Sequence, residues 1–213
     1  MIDEHIQNYA EKHTSVESDL LTELLSKTYA ERNDKSMLSG FYQGRLLAML
    51  SKMIAPRRIL EIGTYMGYSA LCLAEGLTND GKLFTFDMQP ETHAIAKEFW
   101  AKSNLNNKID GRLGNALDLI PTLDETLDLV FIDADKPNYI NYYNSVFPKM
   151  RIGGIIIADN VLWSGKVLDT KTYDDESTIA LDKFNDTIQA DERVTNILFA
   201  VRDGLMIARK EKS

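Results

Sequence analysis

The sequence predicts an α/β protein: a doubly wound, mostly parallel sheet with an antiparallel last strand, preceded by N-terminal helices. Three observations carry this. From Arg57 onward, short β-rich runs alternate with helical segments. The runs are apolar, as strands covered on both faces are. Only Arg202-Asp203-Gly204 separates the last two runs, and Asp-Gly is a hairpin signal, so the final strand turns back antiparallel.

In chain order, residues 2–54 are helical in pattern. Leu20, Leu21, Leu24 and Leu25 recur on one face, as do Leu46, Leu47, Leu50, Met53 and Ile54. Asn33-Asp34-Lys35 breaks this stretch and Pro56 ends it. Strands follow at Ile59-Leu60-Glu61-Ile62, Leu83-Phe84-Thr85-Phe86, Ile109–Leu113, Leu127–Ile132 and Ile155-Ile156-Ile157-Ala158. Residues 68–77, 92–102, 138–147 and about 176–190 suit helices, and residues 194–201 and 205–209 form the closing hairpin. The acidic run Asp174-Asp175-Glu176 reads as a solvated helix N-terminus, favoured there by the helix dipole.

The chain has 213 residues, enough for one domain with a sizeable core; residues 1–55 are expected as a helical cap and 56–213 as the α/β core. With 24 Lys and Arg against 32 Asp and Glu, the formal charge is −8, which argues against nucleic acid or anionic membrane as a partner. No apolar run approaches the roughly 18 residues of a membrane span. Met1-Ile2-Asp3-Glu4-His5 has neither a basic nor an apolar leader segment, so no signal peptide is expected. Cys72 is the single cysteine, which rules out an intrachain disulfide and fits a cytoplasmic home.

In a doubly wound sheet, ligands bind beyond the carboxyl ends of the strands, and four such ends carry unusual residues. The first strand runs into Glu61-Ile62-Gly63-Thr64-Tyr65-Met66-Gly67-Tyr68-Ser69. Glycines here either make a plain tight turn or let backbone approach a ligand and leave helix N–H groups free for it. The second strand ends in Asp87, which reads either as an acceptor for ribose hydroxyls or as a turn residue or helix cap before Pro90. The fourth ends in Asp133-Ala134-Asp135-Lys136 and the fifth in Asp159-Asn160. If these ends are neighbours, Asp133, Asp159 and Asn160 come within a few ångströms of each other. Two carboxylates and an amide oxygen are hard ligands suited to Mg²⁺, Ca²⁺ or Mn²⁺, with positions left for water and substrate. Trp163, in the loop that follows, is either an aromatic wall for a planar substrate or loop packing. Lys136 alone reads as a surface lysine at a helix start, and Trp100 as core or helix surface.

Several classes are excluded or disfavoured. His5, His13 and His93 are scattered and read as solvated surface residues; with one cysteine, they make no zinc site. The sequence has no G-x-S-x-G elbow, no P-loop and no G-x-G-x-x-G.

Taken together, Glu61-x-Gly63-Thr64-x-x-Gly67-Tyr68-Ser69, Asp133-Ala134-Asp135-Lys136 and Asp159-Asn160-Val161-Leu162-Trp163 resemble the cation-dependent S-adenosylmethionine O-methyltransferases, the family of caffeoyl-CoA and catechol O-methyltransferases and their bacterial homologues. The resemblance runs from about Met37 to Arg209 and implies the class I methyltransferase fold. It also implies roles. Met37 and Ser39 flank the cofactor, Glu61, Gly63 and Ser69 line its methionine part, Asp87 holds the ribose, and Asn115 and Ala116 lie beside the adenine. Asp133 and Asp135 belong to the cofactor site as well. Asp133, Asp159 and Asn160 ligate the cation, and Lys136 serves as general base. The chain departs from many relatives at Gln43-Gly44-Arg45, where they carry Glu-Gly-Gln. The expected partners are a catechol or phenylpropanoid-like acceptor and a second copy of the chain. A nicotinamide-dependent oxidoreductase on a similar sheet, or a homologue that binds without turnover, are the alternatives.

Overall fold

The computed structural model describes residues 4–213. Ile2, where the sequence begins its helical stretch, lies outside the described residues. The chain forms two compact units, one up to Asn115 and one from Ala116 on.

The first unit opens with three helices, α1 (Glu4–Lys12), α2 (Asp19–Glu31) and α3 (Gly40–Ile54). The predicted break at Asn33-Asp34-Lys35 is present, and so is one the sequence pattern concealed, before α2. There the Ser18 hydroxyl accepts the Leu21 N–H and caps the helix. On α2, Leu21, Leu24 and Thr28 are buried. On α3, the predicted apolar face is displaced. Leu47 is buried, but its companions on the buried face are Gln43, Gly44, Ala48 and Ser51, while Met53 is exposed. Close packing against α4 (Tyr68–Ala74) is the reason: a Cβ on Gly44 would lie 2.5 Å from the Tyr68 ring, and the Ser51 hydroxyl donates to the Leu73 carbonyl at 2.6 Å. Small residues, not large ones, occupy a contact this tight.

Strands β1 (Arg58–Ile62), β2 (Lys82–Asp87) and β3 (Ile109–Leu113) are parallel in the order β3-β2-β1. Between them lie α4 (Tyr68–Ala74), buried along its whole length, and α5 (Pro90–Lys102). Trp100 of α5 is core: its indole N–H donates to the Gly67 carbonyl at 3.2 Å. His93 is not on the surface as expected. It is buried, edge-on to Trp100 with ring centroids 5.9 Å apart, and burial together with the Lys97 charge pushes its imidazole pKa down.

The second unit starts with α6 (Ala116–Thr122), a helix hidden from the sequence reading by Pro121 in its last turn. Strands β4 (Leu127–Ile132), β5 (Met150–Asp159), β6 (Val194–Phe199) and β7 (Leu205–Lys210) run in the order β4-β5-β7-β6. β4 and β5 are parallel, and β7 is antiparallel to both β5 and β6, as the hairpin signal requires. β5 begins five residues earlier than its apolar run, because Gly153 (φ +79°) and Gly154 lead in through a register shift opposite β4. β6 stops at Phe199, two residues short of the expectation, and residues 200–204 make the turn with Arg202 and Gly204 at positive φ. Helices α7 (Tyr139–Val146) and α8 (Glu176–Ala190) complete the unit; Asp175 caps α8 by accepting the Thr178 N–H at 3.1 Å. Within each unit the strands follow the expected class: parallel in the first, and parallel apart from the C-terminal hairpin in the second.

Gly67 (φ +77°) tests the packing. A Cβ there meets Trp100 Nε1 at 2.6 Å and the Ala96 Cβ at 2.8 Å, so Gly67→Ala adds overpacking to left-handed strain and should cost about 2–4 kcal/mol. Gly165 (φ +80°) has open space around its Cβ, so Gly165→Ala should cost only the strain, about 1 kcal/mol. Urea midpoints of the two variants measure the difference; equal losses would contradict the packing argument.

Candidate active site

In the first unit, chemistry gathers at the turn from β1 into α4. The turn carries Gly63 (φ +100°), Tyr65 (φ +47°) and Gly67 (φ +77°), so it is held by more than its own preference. The holder is Asp87, at the end of β2. Its Oδ2 accepts the N–H groups of Thr64 at 2.9 Å and Tyr65 at 2.7 Å, and its Oδ1 accepts that of Gln89 at 2.8 Å. The turn reading of Asp87 is therefore present. A carboxylate has about four acceptor positions, so capacity for ribose hydroxyls remains.

Glu61 is fully buried at the end of β1, and its Oε2 accepts the Thr85 hydroxyl at 2.5 Å. Thr85 and Thr64 share a further contact of 2.5 Å. Since Thr85 has spent its single proton on the carboxylate, Thr64 is the donor in that pair. Gly63 and Ser69 stand on either side of this turn, with Ser69 buried in the first turn of α4. Met37 is exposed in the 3-10 turn Lys35–Met37, while Ser39 is buried at the start of α3. Asn115 follows β3, and Ala116 is the first residue of α6.

A network that sequence reasoning missed ties the segment before α3 to the same turn. The Tyr65 hydroxyl donates to Asp34 Oδ1 at 2.8 Å; Arg32 grips both Asp34 oxygens at 2.9 Å and reaches Glu91 at 2.9 Å. The hydrogen bonds from Arg32, then that from Tyr65, hold the Asp34 carboxyl down at about 2. Burial, then the bond to Asp34, pushes the Tyr65 phenol up to about 12. In the sequence Asp34 reads only as a helix break, because side chains 31 residues apart leave no periodic signal. The departure at Arg45 has its own partner: its guanidinium pairs with Glu75 at 2.6 Å and lies 3.4 Å from Cys72 Sγ.

In the second unit, the ends of β4 and β5 converge on one phenol. Tyr139 is fully buried, and its hydroxyl lies 3.0 Å from the Asp159 carbonyl and 3.4 Å from that of Ile132. The Lys136 ammonium donates to the same hydroxyl at 2.7 Å and to Asp133 Oδ1 at 3.1 Å. Burial, with the charges of Asp133, Asp159 and Asp135 nearby, pushes the Tyr139 phenol far up, so it stays protonated and can both donate and accept. Lys136 is buried, unlike the surface lysine its residue type alone suggests. Asp135 accepts Asn138 Nδ2 at 2.5 Å and the Tyr142 hydroxyl.

Asp159 is buried, and its Oδ1 accepts the N–H of Asn160, which sits at φ +58°. Trp163 follows at φ +48°, with the Lys136 ammonium 5.8 Å from its ring centroid. Among the described residues, no group of three or more His, Cys, Asp or Glu side chains is placed to hold a metal. Asp133, Asp159 and Asn160 are a different set, two carboxylates with one amide.

Comparison with known proteins decides the family. The family model described as O-methyltransferase matches residues 11–211. The chain belongs to the O-methyltransferase family. It is 34% identical over 188 residues to tricin synthase 1 of Oryza sativa subsp. japonica, covering 82% of this chain and 75% of that one. It is 35% identical over 188 residues to the caffeoyl-CoA O-methyltransferase of Petroselinum crispum, covering 82% and 77%. The SAH-bound crystal structure of a methyltransferase from Podospora anserina superposes with a TM-score of 0.90 at 29% identity, covering 98% of this chain and 94% of that one. The membership displaces the nicotinamide alternative. Among the described residues of this O-methyltransferase, no helix is long and apolar enough to cross a membrane.

The network around Tyr65 sets a pH dependence. Folding lowers the Asp34 pKa from 3.8 to about 2, so the unfolded chain binds more protons in between. The stabilisation is therefore complete above about 4 and lost as pH falls through about 2. The urea midpoints of the parent and Asp34→Asn should differ at pH 5 and converge toward pH 2; a gap that does not change with pH would contradict the ion pair.

Proposed function

We propose that this O-methyltransferase moves a methyl group from S-adenosylmethionine to one hydroxyl of a catechol-like vicinal diol, in the presence of a divalent cation. The observation that carries the reading is the buried Lys136, held between the Asp133 carboxylate and the Tyr139 hydroxyl at the ends of β4 and β5. A nitrogen fixed at two points has a defined position, and general-base action from it is that of the neutral amine, which accepts a proton. The names of the relatives support the rest: phenolic acceptors are implied by caffeoyl-CoA O-methyltransferase, and SAH is what remains of the methyl donor after transfer.

On this reading, Asp87 keeps the β1–α4 turn open for the cofactor and takes its ribose hydroxyls, while Glu61, Gly63 and Ser69 line the methionine part. Met37, Ser39, Asn115, Ala116 and Asp135 are further cofactor residues. When bound, the cofactor supplies an electrophilic methyl on a sulfonium. A phenol is a weak nucleophile near neutral pH, with a pKa of about 10. Lys136 takes the proton of the attacked hydroxyl, and Trp163 stands against the aromatic ring. The donor set fits a hard cation: Asp133, Asp159 and Asn160 offer only oxygens, and Mg²⁺ is the first choice, with Ca²⁺ or Mn²⁺ as substitutes. When bound, such an ion supplies charge that favours the ionised diol. A cytoplasmic homodimer goes with this reading, and Ile6 and Tyr9, exposed on α1, are the apolar surface for that contact.

The decisive assay compares a catechol with its monophenol, with and without chelator. Turnover of the catechol should stop in excess EDTA and return with Mg²⁺, and the monophenol should react far more slowly. Undiminished methylation by metal-free protein overturns the cation; equal rates on the two acceptors overturn the diol; no methylation of any phenol leaves the non-catalytic alternative. Lys136→Met should lower kcat by roughly 10²–10⁴-fold with little change in cofactor affinity. Asp87→Ala should weaken cofactor binding in calorimetry by about 1.5–3 kcal/mol, the scale of charge-assisted hydrogen bonds.

A further inference from the structure

We propose that Asp203, at the tip of the β6–β7 hairpin, is a positioning residue that holds the loop after β5 in the shape that presents Trp163, and so sets how tightly the methyl acceptor is held. The inference rests on the O-methylation reading given above.

The loop's own hydrogen bonds, from the Trp163 N–H to the Asn160 carbonyl at 3.1 Å and from the Gly165 N–H to the Leu162 carbonyl at 2.8 Å, do not by themselves account for its shape. Asn160 (φ +58°), Trp163 (φ +48°), Ser164 (φ +56°) and Gly165 (φ +80°) are left-handed within six residues, and three of the four carry a Cβ. Such a conformation persists only where the surroundings impose it. The hairpin tip imposes it at three points. The Val161 N–H donates to the Gly204 carbonyl at 3.2 Å and the Leu162 N–H to the Asp203 carbonyl at 2.9 Å. The third point is a side chain: Asp203 Oδ1 accepts the Ser164 N–H at 2.5 Å. Leu162 seats over Gly204, where a Cβ would lie 2.5 Å from its Cγ.

Trp163 is thus flanked by Leu162 and Ser164, both anchored on Asp203, the first on its main chain and the second on its carboxylate. The strands beneath are independent of that carboxylate, since β6 and β7 pair from Val194 with Lys210 to Phe199 with Leu205. Removing the carboxylate frees the Ser164 end of the loop while the hairpin stays. The predicted consequence falls on Trp163, whose ring faces the Lys136 ammonium, and not on the first unit.

The chain has two tryptophans, so 5-fluorotryptophan labelling gives two ¹⁹F lines, assigned with Trp163→Phe. In Asp203→Ala the Trp163 line should shift or broaden while the Trp100 line stays. The KM for a catechol should rise about tenfold, with kcat and the cofactor Kd within twofold of the parent. Adding Ser164→Gly, which relieves the left-handed strain, should recover part of that loss. A Trp163 line that superposes on the parent's overturns the proposal, and so does a moved line with an unchanged KM. If Asp203→Ala fails to fold, Asp203→Glu takes its place: it keeps the charge but displaces the oxygen by one methylene. It should move the Trp163 line alone and raise KM, and a parental line or KM in it overturns the proposal equally. A parent chain that methylates no catechol refutes the methylation reading itself, while the ¹⁹F lines still decide whether Asp203 orders the loop.

Discussion

Buried backbone must find partners, and at the strand ends of each unit one side chain answers that demand. The carboxylate of Asp87 takes three main-chain N–H groups, two from the β1–α4 turn and one from its own. Without it, a turn containing Gly63, Tyr65 and Gly67 at positive φ would lack the contacts that hold its shape. The hydroxyl chain from Thr64 through Thr85 to Glu61 lies beneath and gives the turn a second layer of support.

Tyr139 plays the corresponding part in the second unit, with the polarity reversed. There the buried groups in need of a partner are carbonyls, and a phenol donates where a carboxylate would repel. Because its hydroxyl also accepts from Lys136, one oxygen fixes both the strand end and the ammonium. The scaffold and the candidate chemistry are in this sense the same contact. It follows that Tyr139 cannot be judged by its burial alone: it is core by packing and polar by what it touches.

The alternation of strands and helices was legible because apolar runs of four to six residues between helical patterns suit little besides buried strands. The antiparallel closing strand was legible from a single Asp-Gly. What escaped were features set by shape, not by pattern. The buried face of α3 is chosen by close approach at Gly44 and Ser51, which hydrophobicity cannot register. Helix α6 was hidden by Pro121, and the burial of His93 by its residue type. At the candidate site, strand-end residues such as Asp87, Asp133, Lys136 and Asp159 could be found because acids and bases after apolar runs stand out. Arg32, Asp34, Tyr139 and Asp203 could not, since each acts through partners distant in sequence or through a residue type common in cores.

Trp100 draws three parts of the first unit into a shared volume. Its indole lies against Gly67 on one side and Gly111 on the other, where a Cβ would come within 2.6 Å and 2.5 Å of the ring, and it meets His93 edge-on. None of these positions is free to enlarge while the indole remains. Conversely, a smaller residue at 100 opens room that a side chain at 67 or 111 can fill, although at 67 only in a left-handed backbone. Positions 67, 100 and 111 are therefore coupled physically: the two glycines are sized to the tryptophan as a matched set, although they lie on a loop and a strand and the indole on a helix.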